Sequence, residues 1–348
     1  MMVNLSKELV DRGHQVDMIL ARSPAQKDYH VDPKVETIWL HSNSIITTIT
    51  RLSDVLKRNH YDVLYTAMPT SNVAAIFAKF LSRTTTKVVI SERSNPQLEA
   101  KNSQSWRYRA AFALQPILYP KADAIVAVCH DLADALASYA RLPRDRIKVI
   151  YNPAYDDRRA KTVEQPPHVW LENRNIPVII SAGRLMKQKD YSTLLKAFSL
   201  LVGTHSARLI ILGEGPLRAE LEGEARSLGV SDYVVFPGFV SDVMHWFQFA
   251  KIFALTSIWE GFGNVLVQAL AEGCSIVSTD CPNGPREILA KGKYGALVPV
   301  GDAAALSAAF KRVLEGDPFD PDAQKSRARD FSVKQSADNY EKLFQSLS

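Results

Sequence analysis

Short runs of apolar, β-branched residues alternate with helix-periodic segments along almost the whole chain, and this alternation constrains the fold more than any other feature. Candidate strands in the front half are 15–20, 37–40, 62–67, 87–91, 124–129 and 148–151. In the back half they are 178–182, 208–212, 233–236, 252–256, 275–279 and 296–299. Strands covered by helices on both faces read as continuous apolar runs, not as strict alternation. Between them lie amphipathic segments such as 191–202, where Leu194, Leu195, Phe198 and Leu201 share one face. The pattern predicts an α/β protein built from doubly wound parallel sheets.

A chain of 348 residues is long enough for two such domains. The most polar stretch, 152–175, carries Pro153, Asp156, Asp157, Arg158, Arg159, Pro166 and Pro167 without a sustained period, and is read as a linker. It divides a front domain, 1–151, from a back domain, 176–330, with a closing segment at 331–348. Open α/β sheets take ligands beyond the carboxyl ends of their strands, so two facing sheets are expected to enclose a cleft. The chain opens on a helix (Met2, Leu5, Leu9, Val10, ended by Gly13) that feeds the strand at Gln15. A βαβ unit places a strand before such a helix, so the front sheet is expected to lack its first strand.

Composition narrows the class. With 46% apolar and 23% charged residues the chain is neither disordered nor fibrous. No apolar run approaches the roughly 20 residues of a membrane-spanning helix, and no charged-then-apolar leader opens the chain. Three cysteines, Cys129, Cys274 and Cys281, are too few and too irregular for a disulfide framework or a zinc site. A cytoplasmic, reducing compartment is the expectation. The net charge of +5 is uneven: residues 1–150 carry 20 Lys/Arg against 14 Asp/Glu, and the remainder 22 against 23. Such a bias suggests a polyanionic partner for the front half, nucleic acid or an anionic membrane. Residues 101–121 interleave Lys101, Arg107, Arg109 and Lys121 with Trp106, Tyr108, Phe112 and Tyr119, and no acid occurs from Ala100 to Ala122. This fits peripheral contact with a membrane surface, or a core-packed helix with a cationic rim.

Chemistry concentrates in loops that follow strands. In Thr256–Gly273 a glycine-rich turn, Glu260-Gly261-Phe262-Gly263, precedes a helix beginning near Asn264 with Val265 and Leu266. Glycines before a helix N-terminus let backbone N–H groups approach an anion such as phosphate. Glu260 and, one helical turn on, Gln268 point toward the same place; an ordinary turn with a solvated Glu is the plainer alternative. The loop after 178–182 carries Arg184, Lys187 and Lys189, cations suited to a diphosphate or merely exposed. Gly213-Glu214-Gly215-Pro216 again lies between strand and helix, where capping explains the glycines equally well. In the front half Glu92 and Arg93 follow a strand, as an acid–base pair for a reacting hydroxyl or as a surface ion pair. The eight histidines form no ligand-like cluster, so no metal is assigned.

Taken together, the segments SAGRLMKQKD from Ser181, LIILGEGP from Leu209, VVFPGFVSD from Val234, SIWEGFGNVLVQALAEG from Ser257, STDCPNGPREIL from Ser278 and YGALVPVGD from Tyr294 resemble the retaining glycosyltransferases of family 4. The resemblance is looser in front, at VNLSKELVDRGHQVDMIL and KADAIVAVCHDLADAL, and returns at the closing helix, 331–347. It implies the GT-B fold of two facing Rossmann-like domains, with the closing helix crossing back to the first. It implies a nucleotide-sugar donor, UDP-linked, in the back domain and a glycan or polyprenyl-diphosphate-linked acceptor in the front one, with no nucleic acid and no obligatory cofactor or metal.

Residue by residue, the resemblance implies that Arg184 and Lys189 neutralise the donor diphosphate. Glu260 holds hydroxyls of the transferred sugar, aided by the backbone of Gly261, Phe262, Gly263, Asn264 and Val265. Gly213 borders the donor, Gly238 and Val240 contact the base, and Glu92 lies in the catalytic region. Retention in the family is described as front-face attack assisted by the leaving phosphate. Two departures stand out. Gln268 replaces the second Glu of the E-x7-E pattern, trading charge for an amide that still hydrogen-bonds ribose hydroxyls. The stretch SERSNP stands where many relatives carry a His. The competing readings are a UDP-sugar epimerase of the same fold, an inactive nucleotide-sugar-binding homologue and a two-domain sugar-binding protein.

Overall fold

The computed structural model describes residues 1–22, 31–103, 105–159, 165–173, 175–317 and 319–347. The chain divides into two units, Met1–Asp156 with Ser332–Ser348, and Asp157–Phe331.

The first unit holds β1 (Asp17–Leu20), β2 (Glu36–Trp39), β3 (Val63–Ala67), β4 (Lys87–Glu92), β5 (Ala124–Ala127) and β6 (Ile147–Val149). Every pairing is parallel, but the strands form two sheets, β1-β2 and β3-β4-β5-β6. The single doubly wound sheet expected for this unit is therefore split. Among the described residues no strand joins β1 to β3, and the Tyr61 hydroxyl just before β3 reaches Asp17 Oδ2 at 2.5 Å instead.

The helices Met2–Asp11 and Val333–Gln345 pack together over β4 and β5, burying Leu5, Leu9, Val89, Val126, Ala337 and Tyr340. Arg12 pins the two ends of the chain: its guanidinium donates to Glu8 (2.9 Å), Asp338 (2.6 Å) and Glu341 (2.6 Å). The closing helix thus belongs to the first unit.

The second unit holds β7 (Val178–Ala182), β8 (Arg208–Leu212), β9 (Val234–Gly238), β10 (Ile252–Leu255), β11 (Ser275–Thr279) and β12 (Ala296–Val298). They form one parallel sheet in the order β12-β11-β10-β7-β8-β9. Strands β7, β10 and β11 are buried along their whole length, which is why they stand out as unbroken apolar runs. One core lies against helix Tyr191–Val202, with Leu194, Leu195, Phe198 and Leu201 meeting Ile179, Leu209 and Ile211.

The stretch read as a linker is not structureless throughout. Val169–Glu172 forms a helical turn capped by His168 Nδ1, which accepts from the Trp170 N–H at 3.1 Å, and Leu171 is buried. The Arg208 guanidinium lies 4.9 Å from the Trp170 ring centroid. Trp170 and Leu171, inside a polar window, dock this turn on the second unit, while Val169 stays exposed; residues 160–164 and 174 of the predicted linker lie outside the described residues.

Candidate functional site

In the second unit the strand order reverses between β7 and β10. Loops beyond the carboxyl ends of strands at such a switch point are where open α/β sheets take ligands. Here the loops after β7 and β10 are stitched into one floor. The Ile258 N–H donates to the Gln188 carbonyl (2.8 Å), Gln188 Nε2 donates to the Trp259 carbonyl (2.9 Å), and Thr256 Oγ1 donates to the Lys189 carbonyl (2.8 Å).

On that floor Lys189 Nζ donates to Glu260 Oε1 at 2.5 Å, and Ser257 Oγ donates to the same oxygen at 2.6 Å. The two charged side chains are only 15% and 9% exposed. Both bonds converge on Oε1, and among the described residues Glu260 Oε2 takes no hydrogen bond. The loop after β11 holds the Glu260 backbone from the other side, through Asn283 Nδ2 to its carbonyl (3.2 Å) and its N–H to the Pro282 carbonyl (3.1 Å). Ser257→Ala removes the one neutral donor to this carboxylate and is expected to cost about 1 kcal/mol of stability. Thermal unfolding checks this, and an unshifted transition would mean that the hydroxyl does not hold the carboxylate.

The loops after β8 and β9 close against the β7 loop by backbone contacts. The Gly183 N–H donates to the Leu212 carbonyl (3.0 Å), the Leu185 N–H to the Glu214 carbonyl (2.9 Å), and the Gly213 N–H to the Gly238 carbonyl (2.8 Å). Gly213 has φ +126°, and a Cβ there would stand 2.1 Å from the Gly183 oxygen. Only glycine permits that approach. Val240 is half-buried two residues beyond Gly238.

Arg184 is exposed and forms no ion pair among the described residues. Gly261 is half-buried. The Phe262 ring turns away into the core, its centroid 5.6 Å from that of Phe331, so its side chain is withdrawn from a ligand. Gly263, at φ +96°, is the N-cap of helix Asn264–Glu272 and has no side chain of its own with which to cap the first amides. Asn264, Val265 and Gln268 are half-buried along the first two turns. The Cys281 thiol in the neighbouring loop is pushed up to about 12, by burial first and then by Glu260, so it stays protonated.

Glu92 belongs to the first unit, and its place differs from the sequence expectation. It is wholly buried at the end of β4 and does not pair with Arg93. Its Oε2 accepts from Tyr119 OH (2.8 Å) and Gln115 Nε2 (2.9 Å), while Asn72 Nδ2 donates to the same Tyr119 oxygen (3.1 Å). Arg93 turns instead to Tyr65 OH (2.7 Å) and Asn152 Oδ1 (3.1 Å). Alternation along a strand explains the split, because neighbouring side chains leave on opposite faces. Glu92 is thus an interior carboxylate, not the exposed acid of an acid–base pair.

Sequence reasoning missed Gln188, Ser257 and Asn283, which fix the Glu260 turn. Ser257 lies on the same loop three residues earlier, a signal that was available; the Asn283 contact needs the adjacency of β10 and β11.

Residues 164–330 match the family model described as glycosyl transferases group 1, and residues 1–158 match that of glycosyltransferase family 4. Together the matches take in nearly the whole chain, and with the parallel sheets they define a glycosyltransferase of the GT-B fold. The chain belongs to the family 4 type of these enzymes. It is 29% identical over 260 residues, 74% of this chain and 68% of the relative, to N-acetylgalactosamine-N,N'-diacetylbacillosaminyl-diphospho-undecaprenol 4-alpha-N-acetylgalactosaminyltransferase of Campylobacter jejuni. A second enzyme of that organism, GalNAc-alpha-(1->4)-GalNAc-alpha-(1->3)-diNAcBac-PP-undecaprenol alpha-1,4-N-acetyl-D-galactosaminyltransferase, is 28% identical over 297 residues, 84% of this chain and 77% of that protein. Among solved structures, the lipopolysaccharide outer core galactosyltransferase WaaB in its apo form aligns with a TM-score of 0.78 at 19% identity, covering 99% of this chain and 94% of that one. Anabaena HepE in complex with UDP aligns with a TM-score of 0.79 at 18% identity, covering 99% and 95%. At these identities the structural likeness establishes the fold.

Proposed function

We propose that this glycosyltransferase moves a hexose or N-acetylhexosamine from a UDP-sugar to a lipid-linked saccharide in polysaccharide assembly, with retention at the anomeric carbon. The observation that carries the reading is the Lys189–Glu260 pair at the β7/β10 switch point, with Glu260 Oε2 open to a ligand. In this reading Arg184 and Lys189 neutralise the donor diphosphate, and the first amides of helix Asn264–Glu272 add their partial positive charge. Negative charge that grows on the leaving diphosphate then meets fixed donors that need no reorganisation. Glu260 holds sugar hydroxyls through Oε2, while the Gln268 amide holds ribose hydroxyls and Gly213, Gly238 and Val240 border the nucleoside. Glu260 is already engaged by a cation and a hydroxyl, which suits a hydrogen-bond acceptor better than an attacking nucleophile. The named Campylobacter jejuni relatives act on undecaprenol-diphosphate-linked saccharides, which supports a lipid-linked acceptor.

Isothermal titration with UDP tests the site. Arg184→Ala is expected to weaken binding about tenfold by removing a charge-assisted contact, and Arg184→Ala with Lys189→Ala to abolish it. Undiminished binding in the double variant would overturn the assignment. UDP release from a donor panel tests the reaction. Release that requires a polyprenyl-diphosphate saccharide supports transfer, whereas interconversion of UDP-sugars without acceptor would replace it by epimerisation. UDP binding without release from any donor would make the chain non-catalytic.

A further inference from the structure

A helix packed on a sheet turns its apolar stripe inward, yet helix Trp106–Leu118 has two. Ala111, Phe112, Gln115 and Leu118 are buried. On the opposite side Trp106, Ala110, Ala113 and Ile117, spaced i, i+4, i+7, i+11, are all exposed, Trp106 by 68% and Ile117 by 62%. The four aromatics noted in the sequence therefore separate: Phe112 and Tyr119 are core, Tyr108 is half-buried, and Trp106 alone lies fully outside.

Helix Pro69–Ser82 packs beside it and exposes Phe77, Phe80 and Leu81 at i, i+3, i+4, Phe80 by 55%. The Lys121 ammonium, just past the end of the first helix, sits 5.6 Å from the Phe80 ring centroid and joins the two faces into one surface. The Arg107 guanidinium lies 5.7 Å from the Trp106 ring centroid at the other end. Arg83, Arg107, Arg109 and Lys121 are exposed and form no ion pair among the described residues, and neither helix contains an Asp or Glu.

We propose that this face docks on an anionic lipid membrane, with Trp106, Ile117 and Phe80 entering the headgroup–acyl boundary and the cations meeting lipid phosphates. The charge pattern selects this occupant. A contiguous apolar patch marks an interaction site; the nearby Asp123 is taken up by Lys79 at 2.6 Å, and the exposed cations that remain on and beside the two acid-free helices fit a negatively charged surface. The proposal goes beyond sugar transfer, and its test uses neither donor nor acceptor, so it stands or falls separately from the reaction.

The whole chain is sedimented with phosphatidylcholine vesicles with and without about 30% phosphatidylglycerol. Binding to the anionic vesicles, weakened by added salt, is expected. The pair Trp106→Ser with Ile117→Ser is expected to lose binding at least about tenfold, since burial of apolar surface drives insertion. Arg107→Glu with Arg109→Glu is expected to lose the preference for anionic lipid. All four positions are exposed, and an unchanged circular dichroism spectrum confirms that each variant is folded. Equal binding to both vesicle types, or variants that bind like the parent, would overturn the proposal. A concentration-dependent dimer that disappears in Trp106→Ser with Ile117→Ser, without vesicle binding, would assign the face to a second copy of the chain.

Discussion

Lys189→Met is expected to lower turnover about 100-fold to 1,000-fold, the range for removal of a preorganised donor at developing negative charge. The same change is expected to cost stability. Lys189 Nζ and Glu260 Oε1 stand 2.5 Å apart with both side chains mostly out of water. Removing the cation leaves a buried carboxylate held, among the described residues, by the Ser257 hydroxyl alone, and breaking such a pair from one side costs about 3–5 kcal/mol. Adding Glu260→Gln removes the stranded charge, so the double variant is expected to recover most of the stability and none of the turnover. This divergence separates the two roles of the pair. A purely structural ion pair would regain activity along with folding, and a pair that serves only the donor would show little loss of stability in the single variant. Chemical unfolding and steady-state UDP release measure the two quantities. Turnover within a few-fold of the parent in Lys189→Met would remove Lys189 from the machinery.

That pair also marks where sequence reasoning ends. Lys189 and Glu260 are visible separately, as a cation in a loop after β7 and an acid in a glycine-rich turn after β10. Nothing local says that they touch across 71 residues. The contact follows from β10 pairing directly with β7, Ile252 against Ile179 and Phe253 against Ile180, while β8 lies on the other side of β7. The strands of the second unit are the most legible because β7, β10 and β11 are buried on both faces, so residues such as Ile179, Ile180, Val277 and Ile276 are all apolar irrespective of alternation.

The same property hides orientation. A run buried on both faces does not say which side chain points where, so Glu92 and Arg93 read as a pair although they diverge. Helix Trp106–Leu118 is ambiguous for a related reason: two apolar faces blur its period, and only packing separates Phe112 from Trp106. The docked turn at Val169–Glu172 was lost inside a polar average.

Glu92→Gln is expected to abolish the pH dependence that Glu92 imposes on folding. Burial is the dominant influence on this carboxyl and pushes it from its ordinary 4.5 up to about 7, against the opposing hydrogen bonds of Tyr119, the Arg93 and Ser94 amides, and Gln115. Below pH 4.5 both folded and unfolded chains hold the proton, and Glu92 contributes no slope. Between 4.5 and about 7 the unfolded chain gives up its proton while the folded one keeps it, so the folded state binds more protons and stability falls as pH rises. At about 1.4 kcal/mol per pH unit the loss reaches about 3 kcal/mol near neutrality and then levels off. The glutamine variant has no such slope. Its amide oxygen can stand at the Oε2 position and still accept from Tyr119 OH and Gln115 Nε2, while its NH2 then faces the Arg93 and Ser94 N–H groups in place of Oε1, a cost that does not vary with pH. Relative to the parent, Glu92→Gln is therefore expected to gain stability steadily from pH 4.5 to about pH 7 and to hold that gain above neutrality, whatever the fixed cost of the substitution. Denaturant unfolding of both proteins at a series of pH values measures the difference. Parallel profiles would mean that Glu92 is ionised in the folded chain throughout, with Tyr119, Gln115 and the two amides solvating its charge as well as water does.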